Sequence, residues 1–165
     1  MRAFVKKGDG ARRPEILNTA IEEACALAMA GLSDLGIRLN FDLAHGLPEV
    51  MIDKVPVQQV VVNLVRNAAE AMRDSEHREL TIRDWLAADD RVAVEIRDTG
   101  PGLAPEVSAQ LFQPFVTTKA SGMGMGLSIC RSIINSHGGS IRAEALAEGG
   151  TRFVFDLPVA DEVEA

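Results

Sequence analysis

The chain has 165 residues, a formal net charge of −7, 47% hydrophobic residues and 25% charged residues. This length suits one compact domain, and the composition excludes a disordered chain or a fibrous repeat. No apolar run approaches the roughly 20 residues of a membrane helix, and the start lacks a signal-peptide core. We therefore expect a cytoplasmic domain without membrane contact, and the acidic charge argues against a nucleic-acid partner.

Two short segments differ from the rest of the chain. Residues 1–13 carry five basic side chains and one acidic side chain, and glycines with Pro14 predict a linker there. Residues 161–165 form an acidic tail. We expect one domain over residues 14–160. Cys25 and Cys130 stand alone in apolar stretches, which predicts two buried thiols rather than a disulfide or a zinc site.

Hydrophobic periodicity predicts the elements in chain order. A first helix over residues 15–35 precedes strands at residues 37–43 and Val50–Ile52. Asp53 can cap a second helix over residues 55–73. The later predictions are strands at 80–86 and 91–98, helices at 105–112 and 127–136, and strands at 140–146 and 151–158. This order predicts an α/β two-layer sandwich, with a mixed sheet of about five strands covered on one face by about three helices.

The first candidate cluster is the pair Asn63 and Asn67. Their spacing places both amides on one stripe of the second helix, whose other stripe is apolar. An amide oxygen is a hard neutral ligand that suits Mg²⁺ beside phosphate oxygens. Alternatively, both side chains simply face solvent or cap a neighbouring loop.

The second cluster, Asp98 to Gly102, follows a predicted strand. A carboxylate at that place can accept a hydrogen bond from an exocyclic amine such as that of adenine, and the glycines permit close approach of a ligand. The alternative is an ordinary turn between a strand and a loop.

The third cluster contains Gly122, Gly124 and Gly126 before the predicted helix that begins at Leu127. A dinucleotide-binding fingerprint would have to follow a buried strand, and here the preceding residues are typical of a loop. The free amides of the helix start could instead bind phosphate. Lys119 and neighbouring threonines lie just upstream and could supply a cation and hydroxyl groups.

Together with the segment LFQPFVTTK at residues 111–119 and Gly149-Gly150-Thr151 before the last strand, these clusters resemble the ATP-binding catalytic domain of two-component sensor histidine kinases. This is the GHKL superfamily, which also contains gyrase, heat-shock chaperone and mismatch-repair ATPases. The resemblance covers residues 55–158 and is strongest to the nitrogen-regulation and oxygen-sensing (FixL-like) branch. It implies the GHKL sandwich fold.

The resemblance also implies the cofactors ATP and Mg²⁺, and a role for each motif residue. Mg²⁺ would bind Asn67, and Asn63 would lie beside the phosphates. Asp98 would bind the adenine amine. Lys119, with the two asparagines, would be catalytic, and Arg66 would contact a phosphate. The other residues implied in cofactor binding, including two phenylalanine anchors of a lid and its glycine hinge, are Gly100, Gly102, Phe112, Phe115, Thr118, Gly122, Gly124, Gly126, Leu127 and Thr151.

Two departures from the family pattern shape the expected reaction. The ATPase relatives carry a glutamate where this chain has Asn63, and an amide has no basic site to activate water. No histidine stands in the H-E-[LIV]-x-[NH]-P context of a phosphoacceptor, and His45, His77 and His137 are better explained structurally, His137 as a cation at a helix end.

The resemblance therefore implies that the γ-phosphate goes to a histidine on a separate dimerisation hairpin, and indirectly to a response regulator. The chain would be a piece of a longer kinase, and its basic segment would be the end of that hairpin. Two alternatives stay open. One is a protein-serine kinase of the anti-sigma type, and the other is a non-catalytic nucleotide-sensing module.

Overall fold

The computed structural model describes residues 12–102 and 123–160. This part contains three α-helices, α1 (Leu17–Ala30), α2 (Lys54–Ala71) and α3 (Met123–Ser136), and a 3-10 helix at Ser33–Leu35. Its strands are β1 (Arg13–Glu15), β2 (Arg38–Asp42), β3 (Val50–Ile52), β4 (Glu79–Ala87), β5 (Arg91–Asp98), β6 (Ile141–Ala145) and β7 (Thr151–Pro158). None of the helices in the described ranges is both long and apolar enough to cross a membrane.

Five strands form one mixed sheet in the order β2-β4-β5-β7-β6. β2 pairs with β4 in parallel, and the other neighbours are antiparallel. The β4–β5 hairpin pairs Ala87 with Arg91, and its turn places Asp89 and Asp90 at positive φ. The predicted mixed five-stranded sheet under helices is confirmed.

One face of this sheet packs against the helices through a single apolar core. The strands contribute alternate residues, because successive side chains of a strand point to opposite faces. The core includes Leu80 and Ile82 of β4, Val92, Val94 and Ile96 of β5, Phe153, Phe155 and Leu157 of β7, Ile21 of α1, Val61, Leu64 and Val65 of α2, and Leu127, Cys130 and Ile134 of α3.

The other face of the sheet carries ion pairs around one buried acid. Glu95 of β5 is only 1% exposed. Its carboxylate oxygens lie 3.1 Å from Arg152, 3.7 Å from Arg83 and 3.8 Å from Arg97. Arg83 also lies over the ring of Trp85, 5.4 Å from its centroid. The long arginine side chains bury Glu95 on the face of the sheet that is opposite the helices of the described ranges.

The beginning of the described chain differs from the sequence prediction. Residue 15, predicted as the start of the first helix, belongs to β1, which pairs antiparallel with β3 so that Pro14 faces Met51. The domain boundary predicted at residue 14 thus falls inside a strand. Arg12 donates a hydrogen bond to the carbonyl of Ser136 at the end of α3. A three-residue strand with a central proline has no periodicity by which sequence could reveal it.

The helix boundaries also need correction. Asp53 occupies the N-cap position of α2, but its side chain makes no capping hydrogen bond. α3 begins at Met123 rather than at Leu127, so Gly124 and Gly126 lie within its first turns. Because glycine lowers intrinsic helix propensity, the sequence pattern predicts a loop at these residues rather than a helix. The predicted helix at 105–112, the tail at 161–165 and residues 1–11 lie outside the described residues.

Candidate nucleotide-binding site

The polar stripe of α2 lies where the sequence predicted it. Val60, Val61 and Leu64 are at most 1% exposed, whereas Asn63 and Asn67 are half-buried and Arg66 is exposed. Among the described residues, the side chains of Asn67 and Arg66 make no hydrogen bond or ion pair. Their polar groups are therefore available to a ligand at this surface of the helix.

Asn63 connects this stripe to the glycine-rich helix α3. Its Nδ2 donates to the Sγ of Cys130 across 3.8 Å. A Cβ at Gly126 would lie 4.0 Å from the same Nδ2, so the two helices approach closely at this level. The structure thus brings the first and third clusters of the sequence together.

Asp98 is a buried carboxylate held by two backbone amides. Asp98 is 2% exposed. Its Oδ1 accepts hydrogen bonds from the N–H of Gly100 at 2.8 Å and from the N–H of Thr151 at 3.3 Å. Burial raises the pKa of Asp98, and the two hydrogen bonds partly oppose that rise. Oδ1 is thus held by two N–H groups, whereas Oδ2 receives no hydrogen bond within the described part of the chain and can accept one from a ligand.

Glycines around Asp98 allow the backbones of three segments to approach closely: the end of α2, the loop after β5 and the turn before β7. A Cβ at Gly100 would lie 2.9 Å from the carbonyl oxygen of Ala71 at the end of α2. A Cβ at Gly150 would lie 2.1 Å from the carbonyl oxygen of Asp98, and one at Gly102 would lie 3.2 Å from the carbonyl oxygen of Gly150. The second cluster therefore packs directly against both α2 and the Gly149–Thr151 turn.

These contacts distribute the clusters along α2. The glycine-rich helix lies beside Asn63, and the Asp98 loop lies at Ala71, eight residues later. At the rise of an α-helix this separation is about 12 Å along the axis, with Asn67 midway. That is the length scale of a purine base joined through ribose to a chain of phosphates. The helix can therefore hold the base end and the phosphate end of one nucleotide.

Thr99 is a structural residue that the sequence analysis missed. Its Oγ1 donates to the carbonyl of His77 at 2.9 Å and accepts from the N–H of Glu79 at 3.0 Å. It therefore attaches the loop after β5 to the start of β4 and fixes the backbone between Asp98 and Gly100. A hydroxyl residue directly after the strand-end aspartate was the available signal.

The other predicted residues divide into three groups. Leu127 is 3% exposed and packs in the apolar core, so its side chain supports the site from beneath. Thr151, 4% exposed, contacts Asp98 through its backbone N–H. The predictions for Phe112, Phe115, Thr118, Lys119 and Gly122 lie outside the described residues.

His137 is not the cation that the sequence suggested. It is 5% exposed, its Nε2 accepts from the N–H of Asp53 at 3.1 Å, and its Nδ1 lies 2.8 Å from the carbonyl of Ile133. One nitrogen accepting and the other donating is the pattern of a neutral imidazole. The ring joins the end of α3 to the start of α2.

The residues fit Mg²⁺ in the manner that the family implies. Mg²⁺ keeps several waters and takes one or two protein oxygens beside phosphate oxygens. The half-buried Asn67 carboxamide, without a partner among the described residues, offers one such oxygen. In the same ranges no group of three or more His, Cys, Asp or Glu side chains could hold a metal ion.

Comparison with known proteins identifies the family. The family model for "Histidine kinase-, DNA gyrase B-, and HSP90-like ATPase" matches residues 52–161. The sensor protein FixL of Bradyrhizobium diazoefficiens is 51% identical over 162 residues, which are 98% of this chain and 32% of FixL. The chain thus spans about a third of that relative. The identity with FixL confirms the resemblance to the FixL-like branch.

Solved structures agree with this assignment. The nucleotide-free catalytic domain of the histidine kinase ThkA is 34% identical and superposes with a TM-score of 0.79, covering 90% of this chain and 95% of that one. ThkA in complex with the response regulator TrrA is 31% identical with a TM-score of 0.76, covering 90% of this chain and 42% of the other. The chain therefore belongs to the histidine kinase-, DNA gyrase B- and HSP90-like ATPase family, and within it is a histidine kinase catalytic domain.

Proposed function

We propose that this domain binds ATP with Mg²⁺ along α2 and donates the γ-phosphate to a histidine on a separate dimerisation hairpin. The observation that carries the proposal is the arrangement along α2. It places a buried carboxylate at one end of the helix, the amide of Asn63 beside a glycine-rich helix about 12 Å away, and the amide of Asn67 between them.

The adenine would bind at Asp98. Its Oδ2 can accept the exocyclic amine while Oδ1 stays on the N–H groups of Gly100 and Thr151. Because the carboxylate is buried, a hydrogen bond to it is stronger than one at the surface. Thr99 fixes the loop, and Gly102 lets its backbone turn beside the base.

The phosphates would lie beside Asn63, at the glycine-rich start of α3. Arg66 projects from the same stripe, and Lys119 would add a second positive charge. Asn67 would hold Mg²⁺, which when bound neutralises charge on the phosphate oxygens. The backbone at the glycine-rich start of α3 has no side chains at Gly124 and Gly126 to obstruct the triphosphate.

Transfer would depend on positioning and electrostatics. An imidazole nitrogen of the acceptor histidine attacks the γ-phosphorus, the bond from that phosphorus to the bridging oxygen breaks, and ADP leaves with the electron pair. Asn63 cannot take a proton from water, so hydrolysis has no general base at this position. Both ring nitrogens of His137 are engaged in the hydrogen bonds described above, so this histidine is not placed to accept the phosphoryl group.

The wider context of the domain follows from the same proposal. The acceptor hairpin would belong to the same kinase, with the basic segment of residues 1–13 as its end. A response regulator would then receive the phosphoryl group, as the complex of ThkA with TrrA suggests. The site would face the cytoplasm, where ATP is available, and needs no nucleic acid.

A transfer assay tests the proposal against both alternatives. The domain would be mixed with γ-labelled ATP, Mg²⁺ and a dimerisation hairpin supplied in trans, and the label on the hairpin tested for acid lability. Acid-labile label is expected. Acid-stable label on a serine would support the anti-sigma-type reaction, whereas ATP binding without transfer would leave only the nucleotide-sensing module.

Two matched variants test the base pocket. Asp98→Asn should weaken ATP binding at least tenfold, because an amide nitrogen would then face the N–H donors or the adenine amine. Asp84→Asn is the control, since Asp84 is also buried (5% exposed) and also accepts a backbone N–H, from Ala44. Equal ATP affinity in the two variants would contradict the assignment of Asp98.

A further inference from the structure

The side chain of Asn63 donates a hydrogen bond to a buried cysteine. Cys130 of α3 is 0% exposed, and its Sγ accepts the Nδ2–H of Asn63 at 3.8 Å. Burial raises the pKa of this thiol to about 11, so the sulfur stays neutral at physiological pH. A neutral sulfur is a weak acceptor, and its acceptor role does not depend on ionisation.

This contact selects which end of the amide faces the site. A carboxamide is planar and carries its donor nitrogen and its acceptor oxygen on opposite sides of one carbon. With Nδ2 directed at Cys130 of α3, Oδ1 is directed away from that sulfur. A freely rotating amide would offer the two ends equally and lose rotational freedom when a ligand binds.

We propose that Cys130 is a positioning residue for nucleotide binding, which holds the amide of Asn63 with Oδ1 toward the ligand. Asn63 then offers an acceptor, suited to a water molecule or another donor, rather than an N–H aimed at phosphate oxygens. This inference rests on the proposed function. Gly126 lies beside the same contact, since a Cβ there would be 4.0 Å from Nδ2.

A second buried cysteine provides a matched control. Cys25 of α1 is also 0% exposed, belongs to the same apolar core, and has a pKa raised by burial to about 12. In the described part of the chain it makes no hydrogen bond to a residue of the site. Replacement of either thiol removes a similar buried volume, and only Cys130 contacts Asn63.

The experiment compares Cys130→Ala, Cys130→Ser, Cys25→Ala and Cys25→Ser. Mg·ATP affinity is measured by titration, and the side-chain NH₂ signals of Asn63, assigned by their loss in Asn63→Asp, are recorded by NMR. Cys130→Ala should weaken Mg·ATP binding about two- to tenfold, the range of one modest hydrogen bond. Cys130→Ser keeps an acceptor and should recover part of the loss. Both Cys25 variants should bind like the wild type.

The NMR readout separates positioning from general destabilisation. The Asn63 signals should shift in Cys130→Ala and stay unchanged in Cys25→Ala. Wild-type affinity in Cys130→Ala, or the same loss in Cys25→Ala, would overturn the role of Cys130. Absence of Mg·ATP binding by the wild type would instead refute the proposed function, while the Asn63 signals would still report whether the sulfur contact exists.

Discussion

The Nε2 of His137 accepts a hydrogen bond from the backbone N–H of Asp53 across 3.1 Å. This bond joins the residue that follows α3 to the N-cap residue of α2, and these are the two helices that meet at Asn63 and Cys130. The same end of α3 receives the side chain of Arg12 at Ser136, and β1 pairs with the strand that leads into α2. Residues 12–15 therefore contact the end of α3 and the strand that precedes α2.

His137→Ala should destabilise the domain. The substitution leaves the half-buried Asp53 N–H without its acceptor, at a cost of about 1–3 kcal/mol in free energy of unfolding. The Ile133 carbonyl keeps the hydroxyl of Ser136 and the backbone N–H of residue 137 as donors. Urea unfolding measures this cost. His77→Ala is the control, because the side chain of His77 is 71% exposed. Equal stability of the two variants would show that the buried imidazole contributes nothing.

Two adjacent glycines differ in the space around them. Gly149 and Gly150 both have positive φ, +107° and +99°, but a Cβ at Gly149 has no atom within 4 Å, whereas one at Gly150 meets the Asp98 carbonyl. Gly149→Ala should cost only backbone strain, about 1–3 kcal/mol. Gly150→Ala should cost more and also weaken ATP binding, because the Thr151 N–H that holds Asp98 must move. Thermal unfolding and ATP titration check both expectations, and similar values for the two variants would contradict them.

The strands of the five-stranded sheet were predictable because their alternation of apolar and polar residues continues over five or more positions. β5 and β7 have the predicted bounds, and the N-x-x-x-N spacing correctly placed Asn63 and Asn67 on the polar stripe of α2. β1 is too short for such a signal. Glycines in the first turns of α3 concealed the helix start, and the neutral state of His137 depends on Asp53, which is 84 residues away in sequence. Tertiary contacts of this kind leave no local pattern.

Asp84 should make the domain less stable as pH rises. Burial raises its pKa, and its buried Oδ2 has no hydrogen-bond partner in residues 12–102 and 123–160. The native state therefore holds a proton that the unfolded state has already lost, so stability falls as pH rises from the ordinary aspartate pKa to the raised one. Asp98 has a shift in the same direction and contributes with the same sign.

Asp84→Asn removes this titration and keeps the shape of the side chain. The variant should be more stable than the wild type above the raised pKa, with a smaller change of stability below it. Urea unfolding across a series of pH values measures the difference. A variant that loses stability in parallel with the wild type over the whole series would show that Asp84 does not titrate differently in the two states.

Glu95 should be the most sensitive position on the open face of the sheet. Glu95→Gln leaves Arg83, Arg97 and Arg152 without their shared charge. We expect a loss of about 1–3 kcal/mol, less than for a fully buried pair because the arginines reach solvent. Glu144→Gln is the control. Its carboxylate also contacts Arg152, at 3.6 Å, but it is 42% exposed, so the loss should stay below about 1 kcal/mol. Chemical unfolding of both variants measures the two losses in free energy of unfolding. Equal losses would mean that the burial of Glu95 does not strengthen its ion pairs.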